Sequence, residues 1–152
     1  MSDHSRNHGQ DEARIRAMLD EQVTAMRERD AERLIARYAP DAVTFTLAPP
    51  LRNAPAAVHD VDALRSWFAG FEGPIDYEIR GAEVTAGDDV AFCHSLNRLT
   101  ATQASSGQTF TLWFRSTLCL RRDGGAWRIA HEHTSTPFYM DGRFGAAIDL
   151  EP

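Results

Sequence analysis

Six histidines, two cysteines and a complete lack of lysine set the chemistry open to this chain. Without lysine, a Schiff-base mechanism is excluded. His94 is a candidate acid–base group, because an imidazole with a pKa of about 6.5 can both take and give a proton near neutrality. It sits mid-strand in the run VAFCHSLNR. The other reading of His94 is a structural histidine hydrogen-bonded to a polar neighbour. Arg98 and Arg115 form a second candidate, a cationic pair able to clamp a carboxylate or polarise an enolate. Alternatively they pair with Glu132 and fix the sheet. In the first case Glu132 would orient His94. Trp113 can stack on a flat ligand or pack in the core. His131 and His133 make an H-x-H pair on one strand face, a spacing that can hold zinc, but no third ligand follows at matching spacing. No metal is therefore assigned. Nothing near Cys119 activates its thiol. No phosphate loop, Ser-His-Asp order or dinucleotide fingerprint is present, and no cofactor is expected.

The elements that position these groups follow from periodicity. Ile15, Met18, Leu19, Gln22, Val23 and Met26 recur at helical spacing, which predicts an amphipathic helix from Asp11 to about Arg29. Asp30 can cap a shorter helix carrying Leu34, Ile35 and Tyr38, ended by Pro40. Residues Ala42 to Ala48 alternate as a strand and stop at Pro49-Pro50. A third helix follows Asp60 with Leu64, Trp67, Phe68 and Phe71 inward, and Gly73-Pro74 is the expected terminator. Strands are expected at Ile75–Thr85, Val90–Thr102, Gln108–Arg121 and Ala126–Phe138, joined by turn-forming clusters into an antiparallel meander.

The chain has 152 residues and a net charge of −6, enough for one domain and too acidic for nucleic acid or an anionic membrane. No apolar run approaches the ~18 residues of a membrane span. The polar N-terminal stretch lacks the apolar core of a secretory signal, and with only two cysteines the expected compartment is the cytoplasm. The division expected is a disordered polar tail at 1–10, a domain at 11–138 and a C-terminal extension at 139–152.

The order helix, short helix, strand, helix and four-stranded meander resembles the nuclear transport factor 2-like superfamily. RYAPDAVTF, GDDVAFCHSLNR and WRIAHEHTSTPF strengthen the likeness, the last being similar to SnoaL-like and ketosteroid-isomerase-like domains. The resemblance implies an α+β cone, with a curved antiparallel sheet wrapped on three N-terminal helices around a deep pocket. It also implies a homodimer through the convex face. The superfold hosts isomerases, cyclases and dehydratases, but also docking and assembly modules. The ketosteroid isomerases use an Asp base with an oxyanion hole of Tyr and protonated Asp. Those positions fall near Thr46, Gln22 and Arg115 here, so that mechanism is not expected.

Strand alternation sorts the meander into two faces. Trp113, Arg115, Thr117 and Cys119 join Glu132 and Thr134 on one, beside His94 and Arg98; this mixed face is the expected cavity wall. Leu112, Phe114, Leu118, Trp127 and Ile129 form the other, the expected dimer surface. A one-residue bulge would swap these assignments over part of a strand. The expectation is a proton-transfer enzyme acting on a small, partly apolar ligand, anionic if the arginines serve it. The alternative is a binding or oligomerisation module without chemistry.

Overall fold

Leu19, Gln22 and Met26 follow Ile15 at steps of four, three and four, and all four side chains are buried. They form the inner stripe of α1 (Asp3–Glu28). The computed structural model describes residues 3–152. Residues 3–10, expected as a disordered tail, continue the helix; the rest of that tail, Met1 and Ser2, lies outside the described residues. Asp30 caps α2 (Ala31–Ile35) by accepting from the Arg33 amide at 3.1 Å. The helix ends before Tyr38, which instead opens β1 (Tyr38–Phe45). Pro40 is tolerated there because β1 is an edge strand.

A short helix, α3 (Pro55–Val58), had no clear sequence signal. Asp60 caps α4 (Val61–Ala69), accepting from the Ala63 amide at 3.0 Å. The helix stops at Gly70, not at Gly73. Gly73 lies inside β2 (Phe71–Ala86) with φ of +65°, where the pairing with the next strand slips between Glu72 and Asp76. The left-handed residue therefore serves a strand irregularity rather than a helix end.

β3 (Val90–Gln103), β4 (Thr109–Asp123) and β5 (Ala126–Ser135) complete a curved, unclosed sheet of order β1-β5-β4-β3-β2. The meander is antiparallel as expected, whereas β1 joins β5 in parallel. Beyond it, residues 139–152 fold back on the domain: the Ala147 amide donates to Pro137 O at 2.8 Å, and Ala147 is buried.

The helices cover the face that carries Leu118, Leu120, Trp127 and Ile129. Ile15 and Leu19 of α1 close one cluster over these residues, and Met26, Leu34 and Phe68 close another over Tyr77, Leu99 and Phe114. Fully burying each large aliphatic side chain contributes about 1.5–3 kcal/mol. The row expected to make a dimer is thus the protein's own core: Leu112 packs against it, and Phe114, Leu118, Trp127 and Ile129 are buried in it. The sorting of β3 and β4 into two faces is as expected. Which face lies inside is reversed.

Several polar groups are buried with this core, and Asp11 is the most completely enclosed of them. Asp11, with no exposure, accepts from Arg122 Nη2 at 2.6 Å and from Trp127 Nε1 at 3.1 Å. It ties α1 to the β4–β5 hairpin. The hydrogen bond from Arg122 holds its carboxyl below the usual range, against the opposing effect of burial.

Cys93 is buried on the inner face and Cys119 is exposed on the outer face. Burial pushes the Cys93 thiol up. One thiol per chain is expected to react rapidly with a disulfide reagent in the native state, and the second only after unfolding. Two fast thiols would contradict this placement.

Candidate functional site

Between the sheet and α2–α4 lies a cavity of about 750 Å³. Its walls are largely apolar, with Met26, Leu34, Trp67, Leu99, Phe110 and Phe114 among the lining. Its polar groups include Gln22 and Arg37 from the helical side, Tyr38 and Thr44 from β1, Tyr77 from β2, Glu132 and Thr134 from β5, and also Thr46, Asn53, Asp60 and Gln103. Concave, mainly apolar spaces with a few convergent polar groups are the usual form of small-molecule sites.

Glu132 reaches this space because of a bulge. Cys119 pairs with His131 but the next residue, Leu120, pairs with Ile129, leaving Ala130 extra. Ile129 and Glu132, three apart, therefore both point inward. Glu132 is 8% exposed and accepts from the Tyr38 hydroxyl at 2.8 Å. Among the described residues no salt bridge reaches it. A buried carboxylate held only by a neutral donor is costly to keep, and such groups concentrate at working sites.

The other polar groups form a chain. Arg37 Nη1 donates to Gln22 Oε1 at 3.2 Å, and Gln22 Nε2 donates to the Tyr77 hydroxyl at 3.2 Å. Asn97 Nδ2 donates to the same hydroxyl at 2.8 Å, and its own Oδ1 accepts from Ser95 at 2.7 Å. Burial is the main cause pushing the Tyr38 hydroxyl far above its ordinary value, with the Glu132 charge second. Burial likewise raises Tyr77. Both phenols are neutral donors at physiological pH.

The expected site residues divide between the two faces. Gln22, Thr46, Glu132 and Thr134 line the cavity. His94, Arg98, Trp113, Arg115 and Thr117 lie on the outer face, so they do not meet Glu132 across a pocket. The Ala130 bulge is the physical reason: it carries Glu132 and Thr134 across to the Leu118 side. His94 stands beside Glu83 at 3.3 Å, with its side chain 55% exposed. Arg98 pairs with Asp76 at 2.6 Å and Glu78 at 3.4 Å, and Arg115 donates to Ser135 at 3.1 Å. Trp113 lies under the Arg80 guanidinium, 4.6 Å from its ring centre. Thr117 is exposed, paired in register with His94. His131 and His133 flank Phe45 on that outer side, and no cluster of three metal-binding groups occurs among the described residues.

Sequence reasoning missed Arg37, Tyr38, Tyr77 and Asn97. Tyr38 read as the last residue of a helix stripe, and Tyr77 reads as core through its alternation with Ile75 and Ile79. The available signal was the polar pair Ser95 and Asn97 on an otherwise inward β3 row.

The model of the SnoaL-like domain family matches residues 15–139, from the inner stripe of α1 through the end of the meander. The chain is a SnoaL-like domain. It belongs to the nuclear transport factor 2-like superfamily, and solved structures agree. A nuclear transport factor 2-like protein of unknown function from Pseudomonas putida KT2440 is 32% identical, with 95% of this chain and 98% of that one covered at a TM-score of 0.81. A ketosteroid isomerase-like protein from Erwinia carotovora atroseptica SCRI1043 is 26% identical, covering 81% and 93% at 0.67. A nuclear transport factor 2-like superfamily protein from Salmonella enterica is 14% identical, covering 86% and 94% at 0.70, which speaks to the fold alone. No curated protein matches this SnoaL-like domain significantly. No helix among the described residues is long and apolar enough to cross a membrane.

Proposed function

We infer that this SnoaL-like domain is a cofactor-free proton-transfer enzyme of the isomerase, cyclase or dehydratase type, acting inside the cone on a small, largely apolar substrate. The single observation that carries the reading is Glu132, a buried carboxylate in an apolar cavity with Tyr38 as its sole side-chain donor among the described residues. In this role Glu132 takes a proton from a carbon next to a carbonyl, and the electron pair moves onto the carbonyl oxygen as an enolate. The proton then returns to a second carbon in an isomerisation, or leaves with a departing hydroxyl in a dehydration. Arg37 supplies positive charge at the same end of the cavity, where an anionic substrate group would sit.

The test uses aryl ketones, cyclic enones and β-hydroxy ketones that shift the protein's melting temperature. Each is incubated in heavy water with wild type and with Glu132→Gln, and C–H exchange is followed by proton NMR. Exchange or conversion by wild type, lost in the variant, supports the enzyme. Binding without exchange in either protein identifies a ligand-binding module instead.

The same domain is read as a homodimer built on the outer face, where Phe92 and Leu96 remain 51% and 40% exposed. Sedimentation equilibrium is expected to give a dimer at micromolar concentration that Leu96→Glu dissociates. A wild-type monomer would sink this part of the reading.

A further inference from the structure

Tyr77 is 4% exposed and lines the cavity, and its hydroxyl accepts two hydrogen bonds, from Gln22 and from Asn97. A phenol oxygen that accepts twice still owns one proton to give. Among the described residues nothing accepts that proton. The direction of the Gln22 bond is not free: Arg37 has donors only, so its bond at 3.2 Å fixes Gln22 Oε1 toward itself and turns Nε2 toward Tyr77. Arg37 is in turn held by Nε donating to Leu34 O at 3.1 Å.

We propose that Tyr77 is a ligand-anchoring donor whose O–H is aimed into the cavity by the Arg37–Gln22 relay, so that the site selects molecules presenting a carbonyl-type acceptor oxygen there. Arg37 and Gln22 are positioning residues: they act through Tyr77. A hydroxyl whose proton is already committed to a protein acceptor offers a ligand only its lone pairs, and these are occupied by the two amides. The relay therefore decides that this point of the wall gives rather than receives a hydrogen bond. Burial, which raises Tyr77, keeps the proton on it across the physiological range.

The inference rests on the cavity being a ligand site, as the proposed function does, but not on Glu132 performing chemistry. Its test is accordingly one of binding alone. The probes are 2-acetylnaphthalene and 2-ethylnaphthalene, which share a ring system and differ at the acceptor oxygen. Their affinities are measured by tryptophan fluorescence for wild type, Tyr77→Phe, Gln22→Glu and Arg37→Met. Tyr77→Phe removes the donor. Gln22→Glu keeps the shape and can pair with Arg37, but its carboxylate accepts the Tyr77 proton and withdraws it from the cavity. In both, the ketone-to-hydrocarbon affinity ratio is expected to fall about tenfold, the factor a buried hydrogen bond of ordinary strength supplies. Arg37→Met, which lets the Gln22 amide turn over, is expected to lower the ratio by about threefold. A merely structural role would weaken both probes together and leave the ratio alone. A ratio changed less than twofold in Tyr77→Phe and Gln22→Glu, or no measurable binding of the ketone by wild type, overturns the proposal. Loss of C–H exchange with the ratio pattern intact would instead remove only the catalytic reading of Glu132.

Discussion

Replacing Asp11 by alanine is expected to cost about 2–4 kcal/mol of stability. Asp11 has no exposure, and its two oxygens serve Arg122 and Trp127 at once. Alanine leaves the indole N–H buried without an acceptor and leaves Arg122 without its closest partner. The Arg122 side chain is 21% exposed and can recover part of its hydration, which keeps the cost below that of a fully sealed pair. Asparagine retains one acceptor for Trp127 and should cost about half as much. For a chain of this size each kcal/mol shifts the melting temperature by about 2–4 °C, so the two variants are separable by calorimetry.

The same carboxylate predicts an acid sensitivity with a definite sign. The folded-state pKa of Asp11 lies below its ordinary value, chiefly through the Arg122 hydrogen bond. A group depressed in this way contributes stability that is fully present above its unfolded pKa of about 4, and that is lost as pH falls through the folded value. The melting-temperature difference between wild type and Asp11→Asn should therefore be constant from neutrality to about pH 5 and shrink below about pH 4. Other carboxylates depressed by arginine, such as Asp41 beside Arg121, titrate in both proteins and cancel in the difference. A difference that persists unchanged at low pH would show that the Asp11 charge contributes nothing.

What the sequence disclosed, and what it withheld, follows from how far each signal reaches. The stripe of Ile15, Leu19 and Met26 and the caps at Asp30 and Asp60 are local: the stripe is the inner face of α1, and α2 and α4 begin directly after their caps, although the ends of these helices differ from those expected. The meander was legible because its turns are marked by glycine and small polar residues. The inside of the sheet was harder. Both faces of β3 and β4 carry large apolar groups, so alternation separates the faces without saying which one the helices cover. Arg98 and Trp113 look like cavity residues in a list, yet Asp76, Glu78 and Arg80 from β2 complete them as an ion-pair and cation–π layer on the outside, where Arg115 donates to Ser135 of β5. Those partners lie at a sequence distance that pattern reading does not cover. Ala130 carries no mark of a bulge at all, and that one residue decides the side on which Glu132 stands.

The sharpest expectation concerns Glu132 itself, because its loss should separate activity from stability. Glu132→Gln is nearly isosteric, and the amide oxygen can still accept from the Tyr38 hydroxyl that now lies at 2.8 Å. Proton transfer to the substrate carbon should fall by about 10²–10⁴, the usual share of a positioned general base. Stability should hold or rise. The substitution deletes a buried charge that no guanidinium hydrogen-bonds among the described residues, so it breaks no ion pair, in contrast to the removal of Asp11. A gain of up to about 2 kcal/mol is expected where a functional carboxylate has been kept at the expense of folding. Tyr38→Phe gives the complementary result. It leaves the carboxylate without its donor, so the base is retained but no longer fixed, and the rate should fall by only about tenfold with a small loss of stability. Had the Tyr38–Glu132 bond been there only to brace β1 against β5, Tyr38→Phe, which deletes it, would destabilise the domain, Glu132→Gln, which keeps it, would not, and exchange would persist in both. Thermal melts of both proteins, set beside the heavy-water exchange rates, distinguish these outcomes, and exchange left intact in Glu132→Gln would falsify the catalytic role.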